Sequence, residues 1–160
     1  MRSPSHIELS RDALRSNLRF LRRVVGPGVR FCSVVKGDAY GHGIRHFVPM
    51  AEDCGVRSFA VFDATEAEAV LRARRTDCDV MIMGHIDPQD LPWAVQEGIA
   101  VWVFDDRRLE AAADAAGRIG LAVAADRQGP LAGGHLELTE PLELAEGAAF
   151  RTVVRADLRG

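Results

Sequence analysis

The sequence contains almost no lysine and almost no tyrosine. Of its 20 lysine and arginine residues only Lys36 is a lysine, and Tyr40 is the single tyrosine. An arginine side chain stays protonated and does not attack carbonyl groups, whereas a lysine amine can lose its proton and form a Schiff base. We therefore expect Lys36 to occupy a position that an arginine could not fill.

Other absences exclude several classes of protein. The formal net charge of −3 gives no electrostatic basis for binding nucleic acid or an anionic membrane. The three cysteines lack Cys-x-x-Cys spacing, which argues against a disulfide framework or a zinc site and is typical of a reducing compartment. No apolar run approaches the ~18 residues of a membrane helix, and residues 1–9 contain no apolar signal segment. We therefore expect a cytoplasmic protein without membrane or nucleic-acid partners.

Apolar runs of strand length alternate with helical patterns along most of the chain. The predicted strands are 6–9, 29–36, 58–62, 79–83, 100–104 and 121–124. The predicted helices are 11–25 with Ser10 as N-cap, 44–54, 65–75 with a Thr65–Glu68 capping box, 88–98 with Asp87 as N-cap, and 106–118. Several strands are apolar at consecutive positions, which favours a parallel sheet covered by helices.

This alternation predicts an α/β fold, either an open doubly wound sheet or part of a (β/α)₈ barrel with parallel strands. A complete barrel takes ~250 residues, so 160 residues are too few for eight units. The alternation ends near residue 125. We therefore divide the chain into a barrel portion at 1–125, a loop or linker at 126–134, and a tail at 135–160 with possible strands at 135–138 and 150–155.

Lys36 directly follows an apolar strand, and the carboxyl ends of parallel strands carry the active site in such folds. Apolar surroundings there would favour the neutral amine that imine formation requires. Gly41 and Gly43 come just before a predicted helix, so we expect their N–H groups, together with the Tyr40 hydroxyl, to bind a phosphate. An amine beside a phosphate site is the outline of a pyridoxal-phosphate (PLP) site.

Residues 34–43 read Val-Val-Lys-Gly-Asp-Ala-Tyr-Gly-His-Gly. This segment resembles the PLP-lysine motif of the alanine racemases, Val-Val-Lys-Ala-Asp-Ala-Tyr-Gly-His-Gly, and differs from it only at Gly37. The similarity extends over residues 7–125 and includes Phe59-Ala60-Val61 followed by Glu66-Ala67, and Met81-Ile82-Met83-Gly84. The resemblance implies the first half of a barrel domain in a dimeric, PLP-dependent isomerase of D-alanine biosynthesis.

The resemblance also implies a role for each matching residue. Lys36 would hold PLP as an internal aldimine and would act as one of two catalytic bases. Tyr40 would contact the cofactor phosphate. The remaining residues expected to bind the cofactor are Val34, Met81, Met83, Gly41 and Gly43. No metal site is predicted, because His42 and His46 have no third ligand arranged with them.

The sequence departs from the family pattern where the second catalytic base is concerned. In alanine racemases this base is a tyrosine from the carboxyl-terminal domain of the partner subunit, and this sequence has no second tyrosine. The family segment His-Leu-Lys-x-Asp-Thr-Gly-Met-x-Arg is reduced to His135-Leu136. An incomplete barrel also leaves sheet edges unpaired and its interior partly uncovered, so we expect a homodimer or a complementing chain.

Three functions remain open at this point. The first is a PLP-dependent racemase that interconverts L-alanine and D-alanine, present here in truncated or incomplete form. The second is a non-catalytic PLP-binding module that lacks the second base. The third, a barrel aldolase with Lys36 as its Schiff-base lysine, is disfavoured by the Asp-Ala-Tyr-Gly-His-Gly continuation.

Overall fold

The computed structural model of the chain describes residues 5–26, 29–118, 123–128, 135–137 and 151–156. Its helices are α1 (Arg11–Val25), α2 (Lys36–Tyr40), α3 (Ile44–Asp53), α4 (Ala64–Ala73), α5 (Leu91–Gln96) and α6 (Asp106–Arg118). Its strands are β1 (Ser33–Val34), β2 (Ser58–Val61), β3 (Asp79–Ile82), β4 (Ala100–Val103), β5 (Val123–Gln128), β6 (His135–Glu137) and β7 (Arg151–Ala156). Within these ranges no helix combines the length and the apolar character needed to cross a bilayer.

The first four strands are parallel and lie side by side in chain order. A doubly wound sheet reverses its strand order at one point, whereas a barrel adds each new strand on the same side of the last. Because β1 to β4 show no reversal, the chain has the barrel type of winding. The prediction of a partial (β/α)₈ barrel is therefore confirmed, and the doubly wound alternative is wrong.

The parallel sheet has one face that is packed against helices. On this face the side chains of the central strands are buried, and they form one apolar cluster with residues of α3, α4, α5 and α6. The buried strand residues on it are Val35, Phe59, Val61, Val80, Ile82, Val101 and Val103. Burying a side chain of this size stabilises the fold by about 1.5–3 kcal/mol, so this face supplies most of the core.

The opposite face of the sheet is only partly covered. The register places Val34, Ala60, Met81 and Ala100 in one row across the four strands, and the side chains of such a row point to the same side. The two alanines of this row are buried, but Val34 is 38% exposed. Farther along, at the carboxyl ends of the strands, Phe62 and Phe104 are more than half exposed. We call this surface the open face, and it matches the predicted uncovered barrel interior.

The remaining strands pair differently from the prediction. β7 pairs antiparallel with β4, and β5 lies between β7 and β6, antiparallel to both. β5 runs in the same direction as β4, as predicted for the strand at 121–124, but the expected parallel pairing with β4 is wrong because β7 lies between the two strands. Half of the β5 residues are polar, unlike the consecutively apolar β3 and β4, and this composition is typical of a strand with antiparallel neighbours.

The tail contains the two predicted strands, as β6 and β7. The loop expected from residue 126 begins too early, because β5 continues to Gln128. Residues 129–134, the rest of that loop, lie outside the described residues. The division into a barrel portion, a linker and a tail stays a prediction.

Several predicted helix ends are confirmed. The Ser10 side chain accepts a hydrogen bond from the Ala13 N–H at 3.2 Å, as an N-cap does. The helix ends at Gly26, whose φ of 85° suits a residue without Cβ. The helix predicted at 106–118 is observed with the same bounds as α6. Of the α1 residues only Leu18 is buried, and Leu14 packs partly against the core.

Other predicted ends are wrong by a few residues. No strand is assigned among the described residues of the segment 6–9, and the strand predicted at 29–36 is reduced to β1. α4 begins after Asp63, whose carboxylate accepts from the Glu66 N–H at 3.0 Å, so the Thr65–Glu68 capping box is wrong. Asp87 accepts from the Gln89 N–H in the turn before α5 and is not its N-cap. For both helices an aspartate other than the predicted residue occupies the N-cap position, Asp63 in α4 and Asp90 in α5.

Candidate functional site

The carboxyl ends of the parallel strands lie at one edge of the sheet, and Lys36 is located there. The Val35 N–H donates to the Ala60 carbonyl at 2.8 Å, so the pairing of β1 with β2 continues up to the residue before the lysine. Lys36 then begins α2 and is half-buried. The predicted strand-end position is thus observed, although the strand that leads to it is shorter than expected.

The turn that follows the lysine is left-handed. Gly37, Asp38, Ala39 and Tyr40 all have positive φ values, between 51° and 63°. A left-handed conformation costs roughly 1–2 kcal/mol for each residue that carries a Cβ. Three of these four residues carry one, so the surrounding structure must hold the turn in place.

The N–H groups of Gly41 and Gly43, which we expected to bind a phosphate, make hydrogen bonds within the turn. The Gly41 N–H donates to the Gly37 carbonyl at 2.9 Å, and the Gly43 N–H donates to the Asp38 carbonyl at 2.8 Å. The first N–H of α3, from Ile44, donates to the Asp38 carboxylate at 2.7 Å. The two glycine N–H groups are thus engaged within the turn, and a contact of Gly41 and Gly43 with a cofactor stays a prediction. Both glycines supply positive φ values of 84° and 85°.

Glu66 anchors the turn from outside. One oxygen of its carboxylate accepts from the Gly37 N–H and, at 3.3 Å, from the Asp38 N–H. The other oxygen accepts from the Phe62 N–H at 2.8 Å, just after β2. Sequence reasoning missed this role because the partners lie 28 and 29 residues apart. The only signal was a glutamate in the first turn of a helix, and the prediction had placed that glutamate at Glu68.

Tyr40 lies at the end of the same left-handed turn, four residues after the lysine. Its side chain is 63% exposed, so the hydroxyl is accessible to a ligand that reaches this edge. Its predicted contact with a phosphate stays a prediction.

The three apolar residues predicted to flank a cofactor share the open face. Val34 on β1 and Met81 on β3 stand in the same row, with Ala60 of β2 between them. Met83 lies two residues beyond Met81 and therefore points to the same side, and its N–H donates to the Val61 carbonyl at 2.9 Å. Both methionines are half-buried. The tertiary structure thus brings together residues that are almost 50 positions apart in sequence.

Gly84 marks a close approach at the end of β3. A Cβ atom built on it would lie 2.4 Å from the Phe62 carbonyl oxygen and 2.5 Å from the Phe62 ring. Only glycine fits there, and its N–H donates to the same carbonyl at 3.0 Å.

Arg108 joins the ends of β3 and β4, and sequence reasoning missed it. Its guanidinium donates to the Gly84 carbonyl at 3.1 Å and to the Trp102 carbonyl at 3.2 Å. It also donates to the His85 Nδ1 at 3.1 Å and lies 5.1 Å from the centre of the Phe104 ring. Arg108 lies in α6, the helix that follows β4. It therefore stabilises the same carboxyl edge of the sheet at which Lys36 lies.

Two grooves are lined by other residues. One of about 700 Å³ lies between the amino-terminal segment, α1 and α3, and it is lined by Ile7, Leu9, Arg11, Asp12, Arg15, His42, His46 and Met50. The second, of about 390 Å³, lies between α3 and α4. Lys36 lines neither of these two grooves. It belongs instead to the carboxyl edge of the sheet, beside the open face.

The winding of the sheet and the lysine at its carboxyl edge define a β/α-barrel chain with a primary amine at the end of its first parallel strand. Comparison with known proteins specifies the family. The family described as alanine racemase, N-terminal domain, matches residues 9–138, and the chain belongs to it.

Individual relatives support this assignment. Alanine racemase 1 of Caldanaerobacter subterraneus is 35% identical over 103 residues, which is 64% of this chain and 26% of that protein. The crystal structure of alanine racemase from Oenococcus oeni superposes with a TM-score of 0.60 at 30% identity, over 67% of this chain and 29% of that one.

A third relative shares the fold at lower identity. Alanine racemase from Bartonella henselae, solved with covalently bound pyridoxal phosphate, superposes with a TM-score of 0.61 at 23% identity, covering 69% of this chain and 32% of that one. The chain therefore spans about a quarter to a third of the length of the relatives it matches.

Proposed function

We propose that this chain is the cofactor-binding portion of a PLP-dependent alanine racemase, with Lys36 as the residue that holds the cofactor. The observation that carries the proposal is the position of the only lysine, half-buried at the carboxyl end of β1 beside the open face. Membership of the alanine racemase N-terminal domain family supports it. So does the Bartonella henselae relative, whose pyridoxal phosphate is covalently bound.

The residues at this edge fit PLP in most respects. A primary amine can hold an aldehyde covalently, with release of one water molecule. The open face offers Val34, Met81 and Met83 as an apolar wall for an aromatic ring. The Tyr40 hydroxyl is free to donate to a phosphate. Gly41 and Gly43 would border the cofactor through their lack of side chains and not through their N–H groups.

When bound, PLP would supply an electron sink that stabilises negative charge on the Cα of an amino acid. The Lys36 amine would then remove the Cα proton from one face and return it to that face. Inversion needs a second base on the opposite face, and the sequence has no second tyrosine to act as one. A second copy of this chain would carry the same single tyrosine, so a tyrosine base would come from a complementing chain of different sequence.

The finer assignments belong to the same proposal. The substrate would be alanine, the product D-alanine, and the location the cytoplasm. An alternative is a non-catalytic PLP-binding module, and the lack of a second tyrosine specifically favours it. Both alternatives require the same capture of PLP by Lys36.

Capture can be tested by titrating the purified chain with PLP and recording the absorbance band of the lysine-bound cofactor. Borohydride reduction followed by mass spectrometry should then place the cofactor on Lys36. Lys36→Arg keeps the positive charge and should abolish the band, because guanidinium does not form the bond. The matched control adds Arg19→Lys, on the exposed side of α1, to that variant, and this surface lysine should not restore the band. Absence of the band in the wild-type chain would refute the proposal.

Incubation with L-alanine and PLP in D₂O separates the racemase from the binding module. Exchange of the Cα hydrogen without D-alanine would mean that Lys36 works as a base on one face. No exchange, despite PLP capture, would favour the non-catalytic module. Formation of D-alanine by the chain alone would contradict the need for a second base from elsewhere.

A further inference from the structure

We propose that Glu66 is a positioning residue for Lys36: its carboxylate fixes the left-handed turn that presents the lysine amine to an aldehyde. This inference rests on the proposed function and names a residue that acts through the lysine without touching the cofactor. It follows from the contacts of one carboxylate with two separate elements.

The contacts join the lysine turn to the neighbouring strand. The Glu66 carboxylate accepts from the Gly37 and Asp38 N–H groups, the first two after the lysine, and from the Phe62 N–H at the end of β2. Lys36 lies directly between the last strand pairing, at Val35, and the two N–H groups that Glu66 holds. The backbone of the lysine is thus fixed on both sides.

The Gly37 and Asp38 N–H groups form an anion-binding site, and the Glu66 carboxylate of the same chain occupies it. Two successive N–H groups that converge on one oxygen form a concavity that favours a negative charge. The internal hydrogen bonds of the turn use the N–H groups of Ala39, Gly41, His42 and Gly43, whereas those of Gly37 and Asp38 point to Glu66. The anion-binding capacity that the sequence suggested for this loop therefore lies at its start, and Glu66 occupies it.

Glu66 is itself held rigidly. It lies in the first turn of α4, and its N–H donates to the Asp63 carboxylate at 3.0 Å. The amino-terminal end of a helix stabilises a carboxylate. A fixed anchor matters because the three left-handed residues with a Cβ favour unwinding. A displacement of about 1 Å in a reacting group can reduce a rate about 100-fold.

The test compares variants at Glu66 with a matched control two residues away. Glu66→Ala removes both acceptor oxygens and with them all three hydrogen bonds, and we expect the apparent affinity for PLP to fall at least tenfold. Glu66→Gln keeps a carbonyl oxygen for Gly37 and Asp38 and should retain most of the affinity, while its amide group faces the Phe62 N–H. Glu68→Ala, which removes an exposed partner of Arg72 on the same helix, should bind PLP as the wild type does.

Two further measurements separate positioning from a loss of fold. Far-ultraviolet circular dichroism should be the same for all variants, whereas the dichroism induced in the cofactor band should weaken in Glu66→Ala, because that signal reports the orientation of the bound ring. Hydrogen exchange of the Gly37 and Asp38 amides should accelerate in Glu66→Ala and stay slow in Glu68→Ala. This last measurement needs no cofactor.

The outcomes distinguish this inference from the proposed function. If the wild type and Glu66→Ala capture PLP equally well with the same induced dichroism, the positioning role is overturned and the proposed function stands. If the wild type captures no PLP, the proposed function fails and the positioning role fails with it. If Glu66→Ala loses its far-ultraviolet signal, Glu66→Gln decides: a folded Gln variant whose Gly37 and Asp38 amides exchange rapidly, but which binds PLP as the wild type does, would overturn the role.

Discussion

The two faces of the parallel sheet differ sharply although the same four strands build both. The helix-covered face buries its side chains completely, and the open face leaves valine, methionine and phenylalanine side chains partly in contact with solvent. Apolar composition alone does not distinguish them, since both are rich in large apolar residues. The difference teaches that one face holds the fold together, whereas the other is available for a ligand or another part of a barrel.

The largest effect is expected from truncating the covered face. Phe59→Ala should destabilise the chain by about 3–5 kcal/mol, because it leaves a cavity under the helices. Met81→Ala, one strand over on the open face, should cost under about 2 kcal/mol, because that side chain is already half-exposed. Urea unfolding followed by circular dichroism measures both. Equal losses would mean that the two faces do not differ in packing.

The next largest loss of stability is expected from removing the buried carboxylate of Glu52 in α3. Glu52 is 4% exposed and accepts from the Arg75 N–H at 2.9 Å, the Thr76 N–H at 3.2 Å and the Thr76 hydroxyl at 2.9 Å. Glu52→Ala should cost about 1–3 kcal/mol, because three part-buried hydrogen bonds to a charged group are lost. Glu68→Ala, whose ion pair is exposed, should cost about 0.5 kcal/mol. A loss below about 1 kcal/mol for Glu52→Ala in urea unfolding would argue against this anchoring.

Alanine substitutions at two glycines should change the stability of the fold in opposite directions. Gly84→Ala places a Cβ against the Phe62 carbonyl, so it should destabilise by about 1–3 kcal/mol. Gly117→Ala, within α6 and with nothing within 4 Å of the new Cβ, should stabilise by about 0.5–1 kcal/mol. Thermal unfolding should shift in opposite directions. A stabilised Gly84→Ala would show that the approach at this edge is looser than described.

The smallest effect is expected in the lysine turn. Gly37→Ala restores the residue of the family motif and meets no atom within 4 Å, but it places a Cβ on a residue with φ of 63°. We expect a loss of about 1 kcal/mol and unchanged capture of PLP, because the lysine backbone stays where it is. Thermal unfolding and PLP titration measure the two quantities. Loss of capture would mean that this chain needs the extra backbone freedom of glycine.

Local patterns in the sequence predicted the parallel half of the molecule well. The apolar runs at β2, β3 and β4 are long enough and apolar enough to identify buried strands, and α6 was placed with its observed bounds. Helix starts were less well placed, because Asp63 and Asp90 occupy the N-cap positions instead of the residues chosen. The pairing of β5 was wrong, because a strand pattern does not specify which strand lies beside it.

The sequence by itself determined the chemistry available to this protein: one lysine after an apolar strand, one tyrosine four residues on, and a motif specific enough to point to a family. These are properties of neighbouring residues, so they can be read along the chain. Only the tertiary structure decided that the glycine N–H groups are engaged within the turn, that Glu66 holds the lysine backbone, and that Val34 and Met81 share a face. The last two join segments that are far apart in sequence, and their geometry depends on strand register and helix packing; the first depends on the left-handed conformation of the turn.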